Sequence, residues 1–110
     1  MVEIPIEKLQ ILPEDLIELK KQLQLHAPGV EVWAYGSRVH GMPRRWSDID
    51  LAIVNPPKDK RFFMAILCDE IAEGPLMLRA DIIDLNQVSA DFRKTVEDHH
   101  IVIQSAVKSP

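Results

Sequence analysis

Apolar and polar positions along the chain repeat with two periods, which predicts a mixture of helices and strands. Leucines three or four residues apart favour a helix from Pro13, a residue that suits a first helical turn. Alternation at every second position favours strands, as in VEVWAY and SDIDLAIV. Predicted helices cover residues 13–27, 37–41, 58–73 and 89–98, and predicted strands cover 30–35, 47–54 and 78–85, while 101–104 either adds a strand or simply packs.

This order of elements predicts one α+β (mixed α/β) domain, in which a small mixed β-sheet is packed with helices. The 110 residues suffice for a single domain over 1–110, with a core at about 13–104 and a flexible tail at 105–110. On the last helix, Phe92 and Val96 are expected to face inward. Trp46 is expected to cover the core, with stacking on a base as the alternative.

Composition narrows the function classes. The net charge is −4 and there is no basic tract, so electrostatics alone do not suggest a protein that binds duplex nucleic acid. The single cysteine, Cys68, excludes an internal disulfide and is expected to be an inert core residue. No stretch resembles a signal peptide or a transmembrane segment, so we expect a cytoplasmic protein without membrane contact. The pair His99-His100 is expected to be solvated, because adjacent helical residues do not converge on one metal.

Two aspartates provide the first candidate chemistry. Asp48 and Asp50 are two apart in a predicted strand, so their carboxylates face the same side, while Ile49, Leu51 and Ile53 face the core. Carboxylates this close repel each other, and a divalent cation offsets that repulsion. Hard oxygen ligands suit Mg²⁺ or Mn²⁺. The pair therefore predicts a metal site.

A Gly-Ser pair provides the second set of candidate functional residues. Gly36 tolerates backbone conformations that other residues avoid and lets a ligand approach closely. The amides of Ser37 and Arg38 would open a helical turn, where free N–H groups favour an anion. Alone, the pair would be an ordinary turn, but a phosphate cradle next to a metal site indicates a nucleoside triphosphate.

A third carboxylate is expected from the neighbouring strand, LRADIIDL. Asp81 and Asp84 lie three apart and point to opposite faces, so only one of them joins the pair. Asp81 lies deeper in the strand. Asp84 is the substitute ligand, or it caps the turn into Asn86.

The segment Gly36-Ser37-Arg38-Val39-His40-Gly41 followed by Ser47-Asp48-Ile49-Asp50-Leu51 resembles the G-S-x10-D-x-D signature of the DNA polymerase beta-like nucleotidyltransferase superfamily. The chain looks most like its minimal bacterial and archaeal members, and the resemblance covers nearly the whole chain. A Gly-Ser pair or a D-x-D alone would be a weak signal, whereas both at this spacing are specific. The resemblance implies a polymerase beta palm-like fold.

The resemblance also implies roles for single residues. Gly36 and Ser37 would hold the triphosphate of ATP, and Asp48 and Asp50 would bind Mg²⁺ or Mn²⁺. Asp81 matches the third acidic position, which binds metal and activates the acceptor, and it is our candidate for general base. Arg38 matches an arginine near the phosphates, with a structural salt bridge as the equal alternative.

The resemblance suggests a partner too. Minimal nucleotidyltransferases are commonly encoded beside a helical HEPN protein, a ribonuclease toxin in several pairs, which the nucleotidyltransferase adenylylates as its antitoxin. We therefore expect transfer of AMP from ATP to a protein hydroxyl. The alternative is a module that neutralises its partner by binding alone. An antibiotic acceptor is disfavoured, because 110 residues leave little wall for a small-molecule pocket. Formation of a homo-oligomer that completes the cleft is left open.

Overall fold

A computed structural model describes residues 3–107 and has an α+β fold. Within these residues the elements are α1 (Pro13–His26), β1 (Glu31–Tyr35), α2 (Ser37–His40), β2 (Ile49–Val54), α3 (Phe63–Glu73), β3 (Ala80–Asp84), α4 (Ala90–Asp98) and β4 (Ile101–Gln104). A single 3-10 turn, Ile6–Lys8, precedes α1. The predicted order is confirmed, and the last segment is a strand. No helix in the described range is long and apolar enough to cross a membrane.

The strands form one mixed sheet in the order β3-β2-β1-β4. The central strand β1 runs antiparallel to β2 and to β4, whereas β2 and β3 are parallel and are joined through α3. Because register partners of neighbouring strands share a face, this pairing decides which side chains meet. The site described below lies on β2 and its two neighbours.

The two faces of the sheet are covered unequally. One face packs buried strand residues against α1 and α3, and its largest fully buried side chains include Leu19, Leu23, Ile49, Leu51, Ile53 and Leu67. Burial of each such side chain contributes roughly 1.5–3 kcal/mol. The other face carries a smaller cluster in which Trp33, Ala52 and Leu85 pack with Val96 of α4. The isoleucines and leucine that alternate with the two aspartates are buried as predicted.

Helix α3 begins at Phe63, five residues later than the predicted start at Lys58. Phe62 has a φ of 66°, in the left-handed region, so the right-handed helix does not extend back through it. The Ser89 cap is confirmed, since its side chain accepts a hydrogen bond from the backbone N–H of Phe92. The side chain of Phe92 is 41% exposed, contrary to our prediction, and its ring packs edge-on against Tyr35.

Two further predictions about single residues were wrong. Trp46 lies in a turn before β2 and is 83% exposed, whereas the tryptophan that packs with Val96 of α4 is Trp33. His100 is buried, its ring stacks on Trp33 at 3.8 Å between centroids, and its Nδ1 lies 3.0 Å from the carbonyl of Glu97. His99 is exposed as expected.

The flexible tail at 105–110 stays a prediction, since residues 108–110 lie outside the described residues. The backbone N–H of Val107 donates to the carbonyl of Gly29.

Candidate active site

Two aspartates on neighbouring strands face each other across the sheet. Asp50 of β2 and Asp81 of β3 are register partners in the parallel pair, so their side chains leave the same face of the sheet. Neighbouring strands lie about 4.8 Å apart, which puts both carboxylates within reach of one small ligand. Asp48 precedes the first residue of β2 and lies on the same side, two positions from Asp50.

Asp84 lies on the opposite face. Its register partner is Ile53, which is buried in the core, and its Oδ1 accepts a hydrogen bond from the backbone N–H of Asn86 at 2.8 Å. Asp84 therefore caps the turn after β3, as predicted. The same geometry brings Asp81, rather than Asp84, to the face that carries Asp50.

The three carboxylates interact electrostatically. Burial raises the pKa of Asp50 above its usual range, and the charges of Asp81 and then Asp48 raise it further. Desolvation and like charges both disfavour the ionised form of a carboxylate. The arrangement is thus unfavourable as an isolated group of anions and favourable for a cation.

Gly36 stands directly against this group. A Cβ on residue 36 would overlap Oδ2 of Asp50 and lie 3.2 Å from its Cγ. The φ of Gly36 is also positive, at 81°, a backbone conformation that residues other than glycine rarely adopt. The sequence suggested that glycine admits a ligand at this position. The structure shows that it also admits the carboxylate of Asp50.

Helix α2 begins immediately after Gly36 and is a single turn. The carbonyl of Gly36 accepts hydrogen bonds from the N–H groups of Val39 and His40. Within residues 3–107, the N–H groups of Ser37 and Arg38 have no backbone acceptor, as expected at a helix start. Gly41 closes the turn, and a Cβ there would lie 2.8 Å from the Cα of Ser37. The sequence pattern predicted no role for Gly41.

Tyr35 is a candidate site residue that the sequence pattern did not reveal. It is the register partner of Asp50 on β1, so its side chain emerges beside that carboxylate. Burial raises the pKa of Tyr35 to about 12, with further contributions from the charges of Asp50 and Asp81. The only sequence signal was its position beside Gly36, because the pairing with Asp50 becomes visible once the sheet register is known.

Arg38 is buried, and its guanidinium donates to backbone carbonyls. The acceptors are the carbonyls of Gln10, Arg45 and Ser47. In the described part of the chain it forms no ion pair, so the structural salt bridge that we weighed is replaced by hydrogen bonds to neutral acceptors. The direction of the backbone N–H of Arg38 is set by the first turn of α2. The guanidinium contacts do not involve this N–H group.

A cavity of about 550 Å³ opens beside Asp48. Three large, exposed apolar side chains border it: Leu12 (60% exposed), Trp46 (83%) and Met77 (91%). Arg79 also lines it, with Nε 4.0 Å from Oδ2 of Asp48. Both groups of that pair are well exposed, so the pair contributes little to stability. The cavity joins an apolar rim to one of the candidate catalytic carboxylates.

The acidic group has the donor chemistry of a divalent-cation site. Residues 3–107 contain no group of three or more His, Cys, Asp or Glu side chains already arranged as a metal cage. The group of Asp48, Asp50 and Asp81 nevertheless supplies hard carboxylate oxygens from adjacent backbone positions on one face, and Asp50 responds to the charges of the other two. Such ligands fit Mg²⁺ or Mn²⁺, which keep several water ligands and need few protein groups.

A mixed sheet with acidic residues on one face, next to a Gly-Ser turn, is the arrangement of a nucleotidyltransferase. Residues 17–108 match the family model described as polymerase beta, nucleotidyltransferase. The chain belongs to this family. It is also 35% identical over 102 residues to a Haemophilus influenzae protein named probable protein adenylyltransferase MntA, covering 93% of this chain and 90% of the relative.

Solved structures agree with the fold. A toxin-antitoxin crystal structure with AMP-PNP superposes with a TM-score of 0.64 and 24% identity, covering 86% of this chain and 75% of that one. A structure of a tri-AMPylated Shewanella oneidensis HEPN toxin in complex with its MNT antitoxin superposes with a TM-score of 0.59 and 18% identity, covering 84% and 71%. At such low sequence identities, these superpositions establish that the fold is shared.

Proposed function

We propose that this protein transfers AMP from ATP to a hydroxyl group of a HEPN partner protein and so acts as an antitoxin. The observation that carries the proposal is the register of Asp50 with Asp81, next to Gly36, in a chain 35% identical to a protein named probable protein adenylyltransferase. The structural relatives supply the class of partner and the donor, since one contains a HEPN toxin that carries AMP groups and another contains AMP-PNP, an ATP analogue. A reaction that consumes ATP suits the cytoplasm.

The proposed assignments follow the geometry of the site. Asp48, Asp50 and Asp81 would hold Mg²⁺ or Mn²⁺. When bound, such ions stabilise charge on the α-phosphate and lower the pKa of the acceptor hydroxyl. Gly36 admits the carboxylate of Asp50 and would let the triphosphate approach the backbone closely, and Ser37 would contact the triphosphate through its N–H and hydroxyl groups.

The backbone N–H of Arg38 would contact the triphosphate as well. Its side chain is less suited to that role, since the guanidinium is engaged with backbone carbonyls.

In the proposed reaction Asp81 accepts the proton of the acceptor hydroxyl. The hydroxyl oxygen forms a bond to the α-phosphorus, and the bond from the α-phosphorus to the leaving pyrophosphate breaks. In-line displacement of this kind needs mainly positioning and charge stabilisation from the protein. The strand register provides the positioning, because it holds Asp50 and Asp81 on rigid neighbouring backbones.

The cavity beside Asp48 favours a protein as the acceptor. Its apolar rim of Leu12, Trp46 and Met77 is exposed to water, which is unusual for three large side chains grouped around one cavity. Exposed tryptophans of this kind are common anchors at protein interfaces. A partner that covers the rim would bring its hydroxyl to the carboxylate face.

The test uses the purified protein with α-labelled ATP, Mg²⁺ or Mn²⁺, and any HEPN protein encoded beside it. We expect label on the HEPN protein, release of pyrophosphate, and loss of both in Asp50→Asn. Label on the partner would establish the transferase function and identify the acceptor. Binding of ATP and of the partner without transfer would instead support neutralisation by binding alone, and a failure to bind ATP would contradict the proposed site.

A further inference from the structure

Arg38 is a buried cation whose acceptors are neutral backbone carbonyls. Only 8% of the residue is exposed, yet the guanidinium faces backbone oxygens instead of a carboxylate. Nε and Nη2 donate to the carbonyl of Ser47 at 3.1 and 2.7 Å, and Nη1 donates to the carbonyl of Gln10 at 2.8 Å. A longer contact of 3.5 Å joins Nη2 to the carbonyl of Arg45. A buried charge needs such partners, and here backbone groups supply them.

These bonds connect helix α2 and the loop that follows it with residue 10, which lies 28 positions from Arg38 in the sequence. The N–H of Gln10 donates to the carbonyl of Arg38 at 2.8 Å, and the side-chain amide of Gln10 donates to the carbonyl of Gly41 at 3.0 Å. Residue 10, helix α2 and the loop 41–47 therefore form one hydrogen-bonded unit. We call this unit the Arg38 clamp.

The clamp ends one residue before Asp48. Asp50 is paired on both sides, with Tyr35 of β1 and with Asp81 of β3. Asp48 precedes β2 and has no register partner, and on its C-terminal side the pairing with β3 begins at the next residue, where the N–H of Ile49 donates to the carbonyl of Arg79 at 2.9 Å. The nearest constraint on its N-terminal side is the carbonyl of Ser47, which receives two guanidinium hydrogen bonds.

We propose that Arg38 is a positioning residue, which sets the place of Asp48 by holding the carbonyl of Ser47 against helix α2. The proposal rests on the proposed function only in naming Asp48 as a metal ligand. The planar guanidinium suits the task, since it donates in several fixed directions, whereas a lysine ammonium donates from one atom. Arg38→Lys therefore separates this role from a phosphate contact, because lysine keeps the charge and loses the fork.

The first measurement is amide hydrogen exchange by NMR on protein free of metal and nucleotide. The reporters are the N–H groups of Ser47, bonded to the carbonyl of Arg44, and of Arg44, bonded to Oγ of Ser47. In Arg38→Lys we expect both to exchange about tenfold faster while strand amides keep their rates, as in a local opening. The matched control is Arg93→Lys. Arg93 lies on α4 and donates to the side chains of Asn86 and Glu97.

The second measurement is steady-state transfer of label. In Arg38→Lys we expect kcat to fall about tenfold and the Mn²⁺ concentration for half-maximal activity to rise, while KM for ATP stays within about twofold. A KM for ATP that rises with kcat unchanged would assign the side chain to the phosphates and overturn the proposal. Unchanged exchange at Arg44 and Ser47 would overturn it too.

A milder variant covers the case in which Arg38→Lys does not fold. Gln10→Ala removes an exposed side chain and only its bond to the carbonyl of Gly41, so folding is not at risk. We expect exchange at Arg44 and Ser47 to rise about threefold in this variant, and no change would contradict the clamp. Because exchange is measured without substrate, it decides the proposal even if the wild type transfers no label.

Discussion

The carboxylate of Asp50 occupies the space where residue 36 would carry a Cβ, so Gly36 and Asp50 fit together only because residue 36 is glycine. Two separate constraints coincide at this position. One is steric and comes from the Asp50 carboxylate, and the other is the positive φ of Gly36. The glycine of the Gly-Ser element thus serves the acidic group directly.

Gly36→Ala tests this relationship. We expect the variant to lose at least about 2 kcal/mol of unfolding free energy, since backbone strain and displacement of Asp50 add together. Gly29→Ala is the matched control, because its φ is 76° and its Cβ would meet Val107 at an ordinary 3.6 Å. Chemical denaturation of both variants measures the difference. Equal losses would show that Asp50 moves aside without cost.

Asp50 makes the metal-free protein sensitive to pH. Burial first, and then Asp81 and Asp48, raise its pKa, so the folded protein holds this proton more tightly than the unfolded chain does. The associated stability is present below the ordinary aspartate range and is lost as pH rises through the raised pKa. With a chelator present, Asp50→Asn should therefore melt at a higher temperature than the wild type at pH 7, and the difference should disappear as the pH falls through the ordinary aspartate range.

The exposed loop variant Asp59→Asn is the control for that experiment and should melt like the wild type throughout. If Asp50→Asn melts lower than the wild type at pH 7, the carboxylate is held by favourable contacts and the electrostatic account fails. Added Mn²⁺ should stabilise the wild type and leave Asp50→Asn nearly unchanged, because ligands that bind only the folded state raise its melting temperature.

Tyr35 offers a direct probe of the same charges. It is the only tyrosine, so phenolate absorbance reports this residue alone. We expect a midpoint near pH 12 in the folded protein, and a lower midpoint in Asp50→Asn, because one of the causes of the raised pKa is removed. The folded state holds the phenol proton more tightly, so stability falls as pH rises from about 10 towards 12. A midpoint near pH 10 in the folded wild type would contradict the arrangement.

Trp46→Ser tests the apolar rim. The side chain is 83% exposed, so the melting temperature should change little. With the HEPN protein as acceptor, we expect KM for the acceptor to rise about tenfold and KM for ATP to stay the same, as for loss of an interface anchor. Ile17→Ser, on the exposed side of α1, is the matched control. A rise in KM for ATP instead would assign Trp46 to the nucleotide base.

The elements and the acidic pair could be predicted because their signals are local. Alternation around Asp48 and Asp50 fixes their common face, and Ser89 caps α4 through its own backbone neighbours. Pairing between segments distant in sequence could not be predicted. The register that pairs Tyr35 with Asp50 depends on how separate strands meet. The same is true of the hydrogen bond from Arg38 to the carbonyl of Gln10.

Burial of aromatic residues failed for a similar reason. Both tryptophans are equally apolar, and the choice of Trp33 over Trp46 for the core depends on where α4 packs. Periodicity identifies the side of α4 that faces the sheet. Phe92 lies on that side near the start of the helix, where it packs against Tyr35 and stays partly exposed. A helix pattern does not contain that information.

The most direct test of the account compares two aspartates on one strand. Asp81→Asn and Asp84→Asn change residues of β3 that face opposite sides of the sheet, and transfer of labelled AMP to the HEPN protein is measured for each. The account predicts that Asp81→Asn loses at least about a thousandfold in kcat, whereas Asp84→Asn stays within about threefold of the wild type. Loss of transfer in Asp84→Asn, with activity retained in Asp81→Asn, would contradict the proposed carboxylate group.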